Sequence, residues 1–221
     1  MDIAASVAAF RARIDAVSVA HGRAAGSVAV LGVTKTQPRE SVIAATLAGL
    51  TDIGENYLQE ARAKYIDLPT VRTHFIGHMQ TNKANAIAAL FDVVQSVDRL
   101  DAGLALAKAA LSLAKPLRVL VQVNISPTDR FGVSPQEAPA LAERLRDEGL
   151  IVEGVMAIGP LDGNVESAFD VARKTWERVG GPTLSLGMSG DYEAAIAHGS
   201  TMIRIGSAIF GPRAARESAF A

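Results

Sequence analysis

The feature that most constrains the fold is a regular alternation along all 221 residues. Short apolar segments rich in β-branched residues alternate with alanine- and leucine-rich segments whose charges recur at helical spacing. Eight segments are predicted as strands, at residues 27–35, 51–57, 73–78, 92–98, 117–125, 151–159, 182–188 and 202–211. Helical sequence separates each pair, and an extra N-terminal helix at about residues 3–22 precedes them. Strand–helix alternation implies a parallel sheet, and eight units predict an α/β fold of the (β/α)8 TIM-barrel type.

The length of the chain limits how many domains it can form. At 221 residues it lies near the small end of barrel domains, so the helices must be short and no second domain fits. We therefore expect a single domain, residues 1–221. The alternative is an open, doubly wound sheet, but the first strand–helix turn lacks the G-x-G-x-x-G sequence of the dinucleotide-binding form of that fold.

Composition and charge exclude several classes of function. Apolar residues make up 49% of the chain and charged residues 20%, which is typical of a globular protein. The net charge is −1 with both signs spread along the chain, so neither nucleic acid nor an anionic membrane is an expected partner. No apolar segment reaches the roughly 18–20 residues that a membrane-spanning helix requires. The lack of cysteine and of a signal peptide favours a cytoplasmic location.

A barrel places its functional groups at the carboxyl ends of its strands. The first predicted strand ends at Lys35, in "VLGVTK", and a lysine projected into a closed pocket is a candidate nucleophile. The loops after strands seven and eight commonly form the phosphate site of such barrels. Here they read "GMSGD" and "RIGSAIFG", which contain Ser189, Gly206 and Ser207. Each loop taken alone is also consistent with an ordinary tight turn.

A lysine beside a phosphate site suggests a ligand that carries both an aldehyde and a phosphate. Pyridoxal 5′-phosphate is the leading candidate because lysine forms a Schiff base with it, and a phosphosugar bound by a Schiff-base aldolase is the chemical alternative. Arg204, on the eighth strand, would hold the pyridine nitrogen unprotonated and make the cofactor a weak electron sink. The alternative interpretation of Arg204 is a salt bridge to a strand-end carboxylate.

The spacing of two histidines is also that of some zinc sites. His74 and His78 are four residues apart, but the sequence between them is strand-like and no third ligand is evident, so no metal site is expected. We expect Lys64 and Lys108 to be surface lysines.

The motifs, taken together, show a family resemblance. The segments that carry it are "VLGVTKTQP", "IGENYLQEARAK", "HFIGHMQTNKA", "QSVD", "VLVQVNIS", "GVMAIGP" and "LSLGMSGDYEAAIAHGSTMIRIGSAIFGPR". In this order and at this spacing they resemble the pyridoxal phosphate homeostasis protein family, also called proline synthetase co-transcribed homologues. The fold of that family is similar to the N-terminal barrel of alanine racemase.

The resemblance implies eight cofactor-binding residues, which are Lys35, Asn56, His74, Met188, Ser189, Arg204, Gly206 and Ser207. Lys35 would carry pyridoxal phosphate as an internal aldimine, and Arg204 would face its ring nitrogen. The two serines and Gly206 would hold the phosphate, with the methionine lining that end. Asn56 and His74 would lie beside or beneath the ring.

One loop departs from the family pattern. After strand five the chain reads "PTDRFGV", with Arg130 and Phe131 where family members usually carry a lysine and a serine. Arginine keeps the charge of lysine but cannot form a Schiff base. A second contact to the cofactor through this loop is therefore in doubt.

Three classes of function are consistent with these residues. The first is a protein of vitamin B6 homeostasis that holds pyridoxal phosphate without turnover, with apo pyridoxal-phosphate enzymes as recipients. The others are an amino-acid racemase and a Schiff-base aldolase. Racemisation needs two bases, and the chain ends at Ala221 without the further domain that supplies the second one in the racemase. We therefore expect a carrier, a monomer or weak dimer, with no catalytic residue and at most trace racemase-like activity.

Overall fold

The strands of the protein close into one parallel barrel. The computed structural model describes residues 2–128, 130–160 and 164–211. The strands are β1 (Ala29–Val33), β2 (Asp52–Glu55), β3 (Arg72–Phe75), β4 (Val93–Val97), β5 (Arg118–Val123), β6 (Ile151–Ala157), β7 (Thr183–Ser185) and β8 (Met202–Ile205). The helices are α1 (Ile3–Ala20), α2 (Arg39–Leu47), α3 (Leu58–Lys64), α4 (Ala84–Leu90), α5 (Leu100–Ser112), α6 (Ala138–Asp147), α7 (Val165–Val179), α8 (Tyr192–Ala197) and α9 (Ser207–Phe210). Each strand pairs with the next, and β8 pairs with β1.

This closure confirms the (β/α)8 prediction and excludes the open sheet. The seam between β8 and β1 is a regular parallel ladder that runs from Ala29 opposite Met202 to Gly32 opposite Ile205. Within the described ranges, no helix is both long and apolar enough to cross a membrane. Residues 212–221, the end of the predicted single domain, lie outside the described residues.

The eighth predicted strand is half wrong. Residues 202–211 were predicted as one strand, but the strand ends at Ile205 and α9 follows directly. The amides of Ile209 and Phe210 donate to the carbonyl of Gly206, and both side chains are buried. The phenyl ring of Phe210 packs against β1 beside Gly32. The apolar run "AIF" therefore reaches the core by turning into a helix.

The N-terminal helix completes the outer layer of the barrel. Asp2 caps α1, because its Oδ1 accepts a hydrogen bond of 3.1 Å from the amide of Ala5. Phe10 and Ile14, on one face of α1, are buried. The helix contacts α2, α8 and α9. It therefore connects the helix after β1 with those after β7 and β8 in the outer layer.

The main apolar core lies between the barrel and its helices. Leu141 and Leu145 of α6, like Phe169 and Ala172 of α7, are spaced at three or four residues and are buried against the strands. Burial of each large apolar side chain contributes about 1.5–3 kcal/mol. This layer holds the strand ends, and with them the loops of the candidate site, in fixed positions.

The interior of the barrel is more polar than the branched apolar filling usual for this fold. Five polar side chains from five strands lie inside it and are at most 8% exposed: Asp52, His74, Gln95, Ser185 and Arg204. The side chains of Gln95 and Ser185 bond to each other although β4 and β7 are not neighbours. That bond therefore crosses the interior.

Candidate functional site

A cavity of about 270 Å³ opens at the carboxyl end of the barrel, between β1, β7 and β8. Six of the eight residues predicted to bind a cofactor line it: Lys35, Met188, Ser189, Arg204, Gly206 and Ser207. Larger hollows, of about 550, 620 and 440 Å³, lie elsewhere on the barrel. The smaller cavity is the one in which an amine, hydroxyl groups and a guanidinium converge, so we treat it as the candidate site.

Lys35 lies in a tight turn directly after β1. The amide of Gln37 closes this turn on the carbonyl of Thr34 at 3.0 Å. Thr36 has a φ of +64°, which a β-branched residue rarely adopts. Its amide donates to Glu60 Oε2 at 2.8 Å, and this bond holds the unusual conformation. The turn is therefore fixed on both sides of the lysine.

A buried ionic network lies behind the turn. The Nζ of Lys64 donates to the carbonyl of Thr34 at 2.8 Å and to Glu55 Oε2 at 3.0 Å, and it also pairs with Glu60. Glu55 is fully buried and Lys64 is 8% exposed. The prediction that Lys64 is a surface lysine is therefore wrong, whereas Lys108 is exposed as predicted. The signal for this network was the spacing of Glu60 and Lys64, which places them on one helix face.

Tyr65 and Thr34 extend this network into the core. The hydroxyl groups of the two residues are 2.9 Å apart, and Thr34 also donates to Glu55 Oε2 at 3.0 Å. Burial raises the pKa of Tyr65, so this tyrosine remains a neutral phenol. It supports the turn and does not line the cavity.

The loops after β7 and β8 bring two hydroxyl groups together. Ser189 Oγ and Ser207 Oγ are 3.5 Å apart, and both residues are exposed to the cavity mouth. Asp191 closes the first loop, because its carboxylate accepts from the amide of Met188. Ser207 begins α9, so the first amides of that helix have no partner within it.

Arg204 forms the buried floor of the site. Its Nη1 donates to the carbonyl and hydroxyl oxygens of Ser185 at 2.7 and 2.9 Å, and its Nη2 donates to Ala157 O at 2.8 Å. Among the described residues it has no carboxylate partner, so the salt-bridge interpretation is wrong there. Burial lowers the pKa of Arg204 to about 10, against an opposing effect of Asp191. The guanidinium is therefore a cation at neutral pH.

The two remaining predicted residues do not line this cavity. Asn56 follows β2, its amide donates to Glu55 Oε1, and its Oδ1 is buried without a hydrogen-bond partner. His74 is 1% exposed inside the barrel, between Asp52 and Gln95. It reaches Arg204 only through Gln95 and the serine at the end of β7. Contact of Asn56 and His74 with a cofactor ring stays a prediction.

The loop that departs from the family pattern lines a different hollow, the one of about 620 Å³. Phe131 is 62% exposed and stacks on His78 with ring centroids 3.9 Å apart. Arg130 donates to the carbonyl of Gly159 at 3.3 Å. In the part of the chain that the structure describes, no three acidic or histidine residues form a group able to hold a metal ion.

Comparisons with known proteins show which family the chain is similar to. Residues 6–214 match the family model of the alanine racemase N-terminal domain. Over 96% of its length the chain is 41% identical to the pyridoxal phosphate homeostasis protein of Pseudomonas aeruginosa, covering 96% of that protein. It is 37% identical to the protein of the same name from Escherichia coli K12, over 96% of this chain and 97% of that one.

A solved structure adds the three-dimensional comparison. PipY of Synechococcus elongatus PCC7942, solved with pyridoxal phosphate bound, is 30% identical to this chain and superimposes with a TM-score of 0.81. The match covers 95% of this chain and 100% of PipY. The resemblance seen in the sequence motifs is confirmed. The chain belongs to the pyridoxal phosphate homeostasis protein family, on the fold of the alanine racemase N-terminal domain.

Proposed function

We propose that this protein binds pyridoxal 5′-phosphate at the mouth of its barrel and helps to maintain the cellular pool of that cofactor, without substantial catalytic turnover. One observation carries the proposal: an amine, two hydroxyl groups 3.5 Å apart and a guanidinium that pairs with no carboxylate of the described residues share one small cavity. The names of the relatives in P. aeruginosa and E. coli support it, as does the pyridoxal phosphate bound to PipY.

The loop geometry fits a phosphate group. Ser189 and Ser207 offer two hydroxyl donors, and hydrogen bonds from neutral donors to an ionised acceptor are among the stronger ones in proteins. A Cβ added at Gly190 would meet nothing within 4 Å, and one added at Gly206 would meet only Val33, at 3.6–3.7 Å. The atoms of the described residues therefore leave space beside both hydroxyl groups, and a phosphate could approach the backbone there.

Lys35 is the residue that would bind the cofactor covalently. If bound, pyridoxal phosphate would supply an aldehyde carbon, and the lysine amine would form a C=N bond with it as the carbonyl oxygen leaves as water. The rigid turn around Lys35 holds this residue in the lining of the cavity that the two serines share. Hydrolysis of the same bond would return the free aldehyde and give a carrier a route for release.

Arg204 would govern how strongly the bound cofactor withdraws electrons. A guanidinium donates hydrogen bonds and has no lone pair to accept one. Facing the ring nitrogen, Arg204 would leave that nitrogen unprotonated. Enzymes that use pyridoxal phosphate as a strong electron sink set an acidic residue there instead. The residue in this chain therefore favours a weakly activated cofactor.

The surroundings of the cavity support a carrier over a racemase or an aldolase. Both enzymes need acid–base groups next to the lysine in addition to the lysine itself. Lys35 and Arg204 are the only titratable side chains that line the cavity within the described residues, and arginine is not a base at neutral pH. The tyrosines, at 57, 65 and 192, line none of it. Transfer to apo enzymes, a cytoplasmic location and a monomer or weak dimer stay predictions.

The proposal is tested by loading the protein and measuring turnover. The protein is mixed with pyridoxal phosphate, passed through a desalting column and checked by absorbance for retained cofactor. The loaded protein is then incubated with a panel of amino acids in deuterated water, and α-proton exchange and loss of chirality are measured. We expect retention of the cofactor and only slow exchange, which Lys35→Ala abolishes. Turnover near the enzyme median of roughly 10 per second would contradict the carrier proposal.

A further inference from the structure

A continuous chain of hydrogen bonds runs through the interior of the barrel away from Arg204. Arg204 Nη1 lies 2.9 Å from Ser185 Oγ, which lies 2.7 Å from Gln95 Oε1. Gln95 Nε2 lies 2.9 Å from His74 Nδ1, and His74 Nε2 lies 2.9 Å from Asp52 Oδ1. These side chains come from β8, β7, β4, β3 and β2. The chain therefore joins the floor of the cavity to the opposite end of the barrel.

The middle of this chain is closed to solvent. Gln95 and Ser185 are fully buried and His74 is 1% exposed. Asp52, at the far end, lines the separate hollow of about 550 Å³ at the amino end of the barrel. A buried polar group that loses its partner costs about 1–3 kcal/mol. Each link therefore depends on both of its neighbours.

The donors and acceptors fit together in one direction. The guanidinium of Arg204 can only donate, so Ser185 Oγ accepts from it and gives its own hydrogen to Gln95 Oε1. The amide nitrogen of Gln95 then donates to His74 Nδ1, which leaves the proton of the imidazole on Nε2, facing the carboxylate of Asp52. Every link thus donates away from the cavity.

The opposite orientation of the Gln95 amide is unfavourable. It would place the NH2 group against Ser185 Oγ, which already accepts from Arg204, and leave the hydroxyl hydrogen of that serine without an acceptor in the chain. It would also turn an oxygen toward Met202 Sδ, which lies 3.3 Å from the present Nε2 and accepts hydrogen bonds weakly. Gln95 is the one amide among these side chains, so its orientation sets the direction of the two central bonds and, through His74 Nδ1, the tautomer of the imidazole.

We propose that Gln95 is a positioning residue for Arg204: it orders the chain that holds the guanidinium at the cavity floor and fixes His74 as the neutral Nε2–H tautomer. The part of this inference that concerns the cofactor rests on the proposed function. The part that concerns His74 does not rest on it, because these hydrogen bonds form without a ligand. The charged groups that affect the pKa of His74 are Asp52, Arg72 and Glu153. Burial lowers this pKa by more than these groups together raise it.

The tautomer is tested first, on the unloaded protein. The protein has 4 histidines, so long-range ¹H–¹⁵N spectra of histidine-labelled protein contain few signals. The variant His74→Gln identifies those of His74. We expect a neutral ring at pH 7 with its proton on Nε2. A proton on Nδ1, as in the other tautomer or a doubly protonated ring, would mean that His74 donates to Gln95, and this would overturn the proposal.

The second test asks whether Gln95 and Ser185 act through the same route. Gln95→Met, Ser185→Ala and the double variant are compared for pyridoxal phosphate affinity and for the absorbance band of the bound cofactor. Each single variant should weaken binding about tenfold, the loss expected for one hydrogen bond, and both should shift the band alike. Because both substitutions interrupt the same chain of hydrogen bonds, the double variant should lose no more affinity than the single variant with the larger loss.

Control measurements separate this proposal from the proposed function. Ser96→Ala is the matched control, because Ser96 is buried beside Gln95 on β4 but its hydroxyl has no hydrogen-bond partner; it should bind like the wild type. Additive losses in the double variant, near a hundredfold, would overturn the positioning role. If the wild type binds no cofactor, the proposed function fails while the tautomer result stands on its own. If Gln95→Met does not fold, Ser185→Ala and its absorbance shift still decide the question.

Discussion

Thr36 holds a backbone conformation that a β-branched residue rarely adopts, directly after the lysine on which the proposed site depends. Strained residues cost on the order of 1–3 kcal/mol and persist where their surroundings over-determine them. Here the surroundings are the bond from Thr36 to Glu60 and the contacts of Lys64 with Glu55 and Glu60. The position of Lys35 is therefore set by buried charges that lie outside the cavity itself.

The hydroxyl groups of Ser189 and Ser207 should matter for affinity and little for stability. Each exposed serine, changed to alanine, loses one hydrogen bond to an anionic phosphate, so Ser189→Ala and Ser207→Ala should each weaken pyridoxal phosphate binding by about 1–3 kcal/mol. Pyridoxal, which lacks the phosphate, should bind far less well than its phosphate. Titration followed by absorbance measures both effects, with Ser112→Ala on α5 as a control. Equal affinities for pyridoxal and pyridoxal phosphate would show that these loops are only turns.

The network behind the lysine should matter for stability. Lys64→Met leaves Glu55 buried without its cation, so the free energy of unfolding should fall by about 3–5 kcal/mol. Lys108→Met, on the exposed face of α5, should change it by less than about 0.5 kcal/mol. Urea denaturation of the unloaded proteins compares the two. A similar, small effect for both variants would mean that the buried pair does not hold the turn.

At the scale of elements, the loops after β7 and β8 depend on details of backbone geometry. Gly187 has a φ of +96°, and a Cβ there would lie 2.5 Å from Ala195 Cβ on α8. Close packing of β7 on α8 thus requires a glycine in "GMSGD". The loop after β8 is short because α9 begins at once, which brings Ser207 within 3.5 Å of Ser189.

Gly187→Ala should therefore destabilise the protein more than a glycine change elsewhere in the same loop. It combines an unfavourable φ with a steric clash. We therefore expect the free energy of unfolding to fall by at least about 1 kcal/mol, the cost of one strained residue. Gly190→Ala, where a Cβ would meet nothing within 4 Å, should leave the stability of the unloaded protein nearly unchanged. Thermal unfolding of both variants checks this. Equal midpoints would contradict the packing argument.

The same elements show why part of the structure was predictable and part was not. Strands buried on both faces give continuous apolar runs, so the barrel and the ends of its strands could be located. The run 208–210 was assigned to a strand because a short apolar segment does not distinguish strand from helix. The orientation of Lys64 depends on which face of a seven-residue helix is buried, and its charge pointed to the surface. In each case tertiary packing outweighed the local pattern.

At the scale of the whole molecule, the chain of hydrogen bonds from Arg204 to Asp52 links residues that are distant in sequence. Gln95 and Ser185 are 90 positions apart, and no local periodicity encodes such a contact. The sequence pattern predicted Arg204 and His74 on two different strands, but it could not show that two further side chains connect them. Because this chain of hydrogen bonds contains His74, it also makes the stability of the barrel depend on pH.

Acid should destabilise the protein through His74. Burial lowers the pKa of His74 below its ordinary value of 6.5, although Asp52 acts in the opposite direction. The unfolded chain therefore binds a proton near pH 6.5 that the folded protein does not, so the free energy of unfolding should fall as the pH drops below 6.5. Urea denaturation between pH 5 and 7 measures the slope. His74→Gln should flatten it and His21→Gln, at an exposed position, should not; equal slopes would exclude His74 as the cause.

The central claim is that pyridoxal phosphate is held covalently by Lys35. The most direct measurement is to load the protein, reduce it with borohydride and locate the pyridoxyl group by peptide mapping. Borohydride converts the C=N bond to a stable amine, so the label stays on the lysine that formed it. The account predicts labelling of Lys35, and its loss in Lys35→Ala. A label found only on exposed lysines such as Lys108 would contradict it.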